Sequence, residues 1–200
     1  MKKINKCEYG YFANQTKIEI RKSIILFIIP VCIFLLGVFI AMIRNPELSF
    51  WDARRNLLTL AAVLGLLPAA RQITNTVMFV KYNKKHLSSE KYEAISKIEL
   101  KIPVKYDLYM TTYDYTYQIL SLTVASDTIV GYTEDAGFNE EKFDTHIKSM
   151  MAQNGLNCST IKIFNDFDKY KQRLKAFADN EVENNEKELK ILRLMENLSL

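Results

Sequence analysis

The sequence predicts a membrane-anchored α+β protein, in which a two-helix transmembrane hairpin precedes a cytoplasmic α/β domain with a mainly antiparallel sheet, in the order α-ββββ-α-β-α-α. Three observations predict it. Residues 23–43 form a run of 21 without a charge, about 31 Å of helix at 1.5 Å per residue, enough to cross a hydrocarbon layer of roughly 30 Å. A second apolar stretch opens at Leu57 after a short polar connection. Beyond Lys81 the pattern changes to short alternating segments and amphipathic stretches, the signature of a water-soluble module. The boundaries that follow are a basic cytoplasmic arm over 1–22, the hairpin over 23–80 with helices at about 23–43 and 57–79, and a cytoplasmic α+β domain over 81–200 that includes a C-terminal helix.

The arm carries Lys2, Lys3, Lys6, Lys17, Arg21 and Lys22, and the segment after the second span carries Lys81, Lys84, Lys85 and Lys91. The connection between the spans offers only Arg44, Arg54 and Arg55. The positive-inside rule then predicts both termini in the cytoplasm and a multi-pass location in the inner (plasma) membrane. Polar and basic residues precede the first apolar run and no small-x-small site closes it, so it is expected to remain as an anchor. Abundant Lys, Ile and Asn point to a bacterium with an AT-rich genome.

The second span is less clean. Residues 57–70 are apolar, and Arg71, Gln72, Thr74, Asn75 and Thr76 follow before residues 77–80 resume. One reading sets Arg71 and Gln72 near the inner headgroups, and the other turns Arg71, Gln72 and Asn75 into the polar interior of an oligomer. Small residues recur every four positions, Gly37 and Ala41 on the first helix and Ala61, Gly65 and Ala69 on the second, and they are expected to form the seam between the helices or between copies. Pro30 and Pro68 can kink their helices. Phe50 and Trp51 suit an outer interfacial anchor.

In the soluble part, residues 84–97 read as a polar helix leaving the membrane. Residues 98–104, 106–112, 117–125 and 128–133 read as four successive strands, the last two joined by a Ser126-Asp127 turn. Asn139 has helix-cap chemistry, with Glu140 and Glu141 complementing the dipole and Phe143, Ile147, Met150 and Met151 supplying an apolar face before Asn154-Gly155. Residues 158–164 read as a strand, Asn165 or Asp166 caps a helix bearing Phe167, Tyr170, Leu174 and Phe177, and Leu189, Leu192, Met195 and Leu198 stripe the last helix.

Motifs that carry chemistry are missing. Cys7, Cys32 and Cys158 are scattered, and His86 and His146 have no ligand-spaced companions, so no metal, cofactor or catalytic residue is expected. Six glycines leave little for a phosphate cradle. A net charge of +4, dispersed, gives no reason to expect nucleic acid. Tyr113, Tyr115 and Tyr117 fall on one face of an extended segment and form the one candidate surface for a ligand or partner. The order of elements resembles the αβββαβ core of the restriction-endonuclease-like fold, whose acidic residue and following E-x-K bind a divalent cation. Here Glu99-x-Lys101 precedes Asp127 and Glu134, so the order is reversed and the motif is not met.

The function expected from this pattern is a binding, sensing or scaffold module held at the inner face of the membrane. Its expected partners are the lipid bilayer, a second copy of the chain and an unknown cytoplasmic protein or small ligand. An oligomeric ligand-gated membrane effector or pore is the first alternative, and a membrane-tethered metal-dependent hydrolase or nuclease-like domain is the second. The lack of motifs weighs against an enzyme.

Overall fold

The computed structural model describes residues 4–200 apart from Leu48, Arg54, Lys84, Tyr113 and Asp114, and the backbone but not the side chain of Trp51. The chain divides into two compact units, one comprising Phe12–Lys85 and the other His86–Leu200 with the residues up to Tyr11.

The first unit is a helical hairpin, in which α1 (Tyr11–Arg44) is followed by the single-turn α2 (Phe50–Ala53) and by α3 (Leu57–Asn83). Both long helices have the length and apolar composition needed to cross a membrane. They run antiparallel in a fixed register. The Thr16 hydroxyl donates to the Phe79 carbonyl, that of Ser23 to the Gln72 carbonyl, and the Asn56 amide to the Gly37 carbonyl. Small side chains make this approach possible. A Cβ added at Gly65 would stand 3.2 Å from Pro30 Cγ, and one at Gly37 would stand 2.9 Å from both Leu58 Cβ and Asn56 Oδ1. Thr59, Ala62 and Ala69 are buried at the same seam, Ala41 is half-buried, and the inward alanine is Ala62 rather than Ala61, which is exposed. Steps of four drift about 40° per step around a 3.6-residue helix, so a strict every-fourth stripe cannot stay in the seam. Gly37→Val should destabilise the chain by about 1–3 kcal/mol through overpacking, read as a lower melting temperature, while Ala61→Val should leave it unchanged.

The outside of the hairpin is the reverse of a soluble surface. Phe39, Ile43 and Leu67 are 62%, 63% and 68% exposed, with small residues turned inward. The connection is more ordered than a plain polar link. Ser49 caps α2, and Asn56 caps α3 by accepting from Thr59 N while its amide donates to the Gly37 and Ala53 carbonyls.

In the second unit, α4 (Ser89–Ser96), β1 (Lys105–Thr111), β2 (Thr116–Ala125), β3 (Thr128–Tyr132), α5 (Glu140–Gln153), β4 (Thr160–Phe164), α6 (Phe167–Asp179) and α7 (Glu186–Leu198) follow one another. The sheet has the order β1-β2-β3-β4, antiparallel except for the β3–β4 pair, which is parallel because α5 crosses between them. Three strands precede α5, not four. Residues 98–104 are irregular although Ile102 is buried and Ile98, Leu100 and Val104 pack on the core. Pro103 has no N–H to give a ladder, and its carbonyl accepts from the Thr123 hydroxyl instead. The helix read over 84–97 starts at Ser89, because Ser88 takes the N-cap and accepts from Lys91 N.

Two cores lie on the two faces of the sheet. Phe143, Ile147 and Met151 of α5 join Ile191, Leu192 and Met195 of α7 in one, and Ile95 of α4 joins Tyr170, Leu174 and Phe177 of α6 in the other. Simple alternation breaks in the middle of the sheet. Ile119 and Leu122 serve one core while Leu120 serves the other, and across the ladder Asp107 adopts a left-handed φ of 52° between Tyr106 and Leu108, which also face different cores.

Residues 6–9 pack on the α+β unit. Cys7 is buried and its carbonyl accepts from Tyr106 N, Tyr9 stacks on Tyr92 at 3.9 Å, and Lys6 donates to the Ser199 carbonyl. From Tyr11 onward the residues read as arm are helix. At the other end of β1, Tyr109 N donates to Ser199 Oγ and Leu200 N to the Tyr109 carbonyl. Cys7 on one side and Ser199 and Leu200 on the other therefore cover the β1 edge, whose unpaired backbone groups would otherwise invite another strand.

Candidate functional site

A broad cleft of the α+β unit lies where the β1–β2 connection meets the first turns of α5. Thr112, Tyr115 and Tyr117 form one wall, and Asn139, Glu141, Lys142, Thr145, His146 and Ser149 form the other, around a cavity of about 780 Å³. The α5 wall follows from helix geometry, because positions 142, 145, 146 and 149 share one face. The strand wall follows from a tight connection in which Tyr115 N donates to Thr112 Oγ1 and Thr112 N to the Tyr115 carbonyl. Tyr113 lies outside the described residues.

The two remaining tyrosines play different parts. Tyr117 is 3% exposed and meets Phe138 and Phe143 edge-on, so it is core. Tyr115 is 40% exposed, lies over Tyr117 at 6.1 Å between ring centroids, and accepts a 2.7 Å hydrogen bond at its hydroxyl from Lys142 Nζ, which stands 4.3 Å from its ring centre. This gives an exposed aromatic plate held by a cation, beside hydroxyls, an imidazole and a carboxylate. Such a surface can stack a planar or apolar group and hydrogen-bond its polar rim. The α5 half of the cleft was missed in the sequence, although its one-face spacing was readable.

The other candidate residues do not converge on it. Asp127, in the β2–β3 turn, accepts from Lys187 Nζ at 2.7 Å and from the Ser159 hydroxyl, and both hold its carboxyl below the usual range. Glu134, beyond the far end of β3, accepts from Lys91 Nζ and the Tyr132 hydroxyl. Partial burial pushes the Glu134 carboxyl up, but these donors outweigh it and hold it low. Glu99 is exposed. Among the described residues no three His, Cys, Asp or Glu side chains gather as cation donors.

In the hairpin unit the polar residues separate by face. Arg71 and Asn75 are exposed, whereas Gln72 turns inward and donates at 2.5 Å to Glu19. Glu19 is 6% exposed and also accepts from Gln15 and Lys22, while Thr76 Oγ1 bonds the Glu19 carbonyl and meets Ser23 Oγ at 2.6 Å. Sequence reading missed Glu19. Only its position opposite Gln72 in the antiparallel register brings it into play.

One further buried carboxylate stands apart. Asp107 is 1% exposed, its Oδ1 accepts from Leu87 N at 3.0 Å, and its Oδ2 has no partner among the described residues. Burial pushes its carboxyl up to about 6, against the opposing pull of the Leu87 hydrogen bond and of nearby His86. No protein-family model matches this chain, nor does any curated protein or solved structure.

Proposed function

We propose that this protein is a binding module fixed to the inner face of the plasma membrane by its helical hairpin, with both termini cytoplasmic and the Tyr115–Lys142 cleft as the docking surface for a cytoplasmic protein or small ligand. The observation that carries this reading is the inverted surface of the hairpin, greasy outside and small inside. Water would have to cover that apolar surface at roughly 25 cal/mol per Å², whereas lipid covers it without cost. The polar belt of Glu19, Gln72, Ser23 and Thr76 falls where the charge-free run begins, the depth expected of an inner interface. Lys17, Lys81 and Lys85 lie beyond it, and Arg21 lies within it.

Membrane residence is tested by fractionating cells. The chain should stay with membranes after alkaline carbonate and dissolve only with detergent, and a thiol placed by Ser49→Cys, in the connection, should label from outside the cell while Cys158 does not. Free solubility without detergent overturns the anchoring. The cleft is tested with Tyr115→Ala and Lys142→Ala. Each should change stability by less than about 1 kcal/mol, being at the surface, yet remove capture of the partner that the unaltered chain retains on its membranes. Undiminished capture by both variants would discard the cleft as the docking surface.

A further inference from the structure

The lipid-facing side of the hairpin carries two cavities that run into each other. The deeper one, about 230 Å³, is lined by Pro30, Val31, Phe34, Ala62, Val63 and Leu66. The other, about 690 Å³, shares Phe34 and Val63 with it and opens at Arg55, Asn56 and Thr59. Together they make one amphipathic groove. From residue 56 to residue 66 the helix climbs about 15 Å, the reach of roughly a dozen methylenes of an extended chain. Ala62 opposite Phe34 supplies the depth, since a larger side chain there would fill it.

The charge at the mouth is open to an anion. Arg55 is exposed and forms no ion pair with any described residue. Asn56 lies level with Gly37, to whose carbonyl its amide donates, and α1 continues a further seven residues to Arg44, about 10 Å. The Arg55 backbone therefore stands below the end of the longer apolar helix, close enough to the interface for its long side chain to reach the level of phospholipid phosphates. A guanidinium takes a phosphate through two parallel hydrogen bonds.

We infer that this groove binds one anionic glycerophospholipid, its phosphate on Arg55 and one acyl chain along Phe34, Val63 and Leu66. This rests on the membrane reading above. It names the ligand of a surface distinct from the cytoplasmic cleft.

The test is native mass spectrometry of the full chain in a neutral detergent with added phosphatidylglycerol or phosphatidylcholine of identical chains. The unaltered protein should retain phosphatidylglycerol about tenfold better, the ratio expected for one charge-assisted contact. Arg55→Gln should erase the preference, Arg55→Lys should keep part of it, and Val63→Trp, which fills the groove from an exposed position, should lower retention of both lipids. Glycerol phosphate without chains should not compete. Equal retention of the two lipids by the unaltered chain, or full competition by glycerol phosphate, overturns the inference. So does a dimer that Val63→Trp disperses without change in bound lipid, because a second copy would then be the occupant. A chain that needs detergent yet ignores lipid identity loses the lipid site alone, whereas one soluble without detergent loses the membrane reading as well.

Discussion

The folded chain should become more stable as the pH is lowered from 7 toward 5, and Asp107→Asn should abolish that trend. The Asp107 carboxyl is raised from 3.8 to about 6 by burial. The folded state therefore holds a proton that the unfolded state has released between those two values. Its contribution is fully present below the unfolded value and is lost as the pH rises through about 6, on the order of 3 kcal/mol for a shift of about two units. Above that window the protein folds with a buried anion that one backbone N–H, from Leu87, only partly compensates. Asparagine keeps the acceptor for Leu87, tolerates the left-handed backbone and carries no charge. Melting of the full chain in detergent from pH 4.5 to 7.5 should show a falling profile for the unaltered protein and a flat one for the variant. The comparison matters because Asp127 and Glu134, whose carboxyls are held low, act in the opposite sense and lose stability only as the pH falls through their depressed values. Two parallel profiles would show that Asp107 does not titrate in this window.

What the sequence made legible was whatever a single segment decides by itself. The two long apolar helices, the caps at Asn139 and Asp166, and the α-β-α-α order after β3 depend on local periodicity and on side chains that bond their own backbone three residues on. What escaped depends on a neighbour from elsewhere in the chain. Residues 98–104 alternate like a strand because they do face a core, but Pro103 denies them a ladder, so burial and pairing come apart. The Asp107 backbone, which moves Tyr106 and Leu108 to different cores, leaves no periodic trace. Glu19 is one acid among the basic residues of its segment, and only the register of α1 against α3 reveals Gln72 as its partner. The cleft was half legible for the same reason. Tyr115 stood out by residue type, while Lys142, Thr145, His146 and Ser149 become a wall only when α5 packs beside the β1–β2 connection.

Glu188 is the sharpest case of such a distant dependence, and removing its carboxylate should cost about 3 kcal/mol even when the replacement is isosteric. The side chain is 2% exposed, and its two oxygens serve two different elements. Oε1 accepts from Asp127 N at 2.7 Å, in a β2–β3 turn where Ser126 and Asp127 both have left-handed φ, while Oε2 accepts from Asn185 N at 3.0 Å and closes the capping box of α7. Glu188→Ala strands two backbone donors next to the core, each worth roughly 1–3 kcal/mol when left unpaired. Glu188→Gln keeps the shape but has one oxygen, so its amide nitrogen must face one of the two N–H groups. The glutamine variant should accordingly be nearly as unstable as the alanine one, whereas Glu186→Gln, two residues earlier on the exposed face of α7, should be neutral. The damage should also spread along α7. Its buried Ile191, Leu192 and Met195 face the sheet, and its far end delivers Ser199 and Leu200 to the β1 edge, so a loosened α7 uncovers apolar surface and an unpaired strand together. Hydrogen exchange should therefore quicken at Tyr109 and Asp127 in the glutamine variant, two amides separated by most of the sheet. Quickening confined to the β2–β3 turn would mean that Glu188 caps that turn alone and that α7 is held by its apolar face.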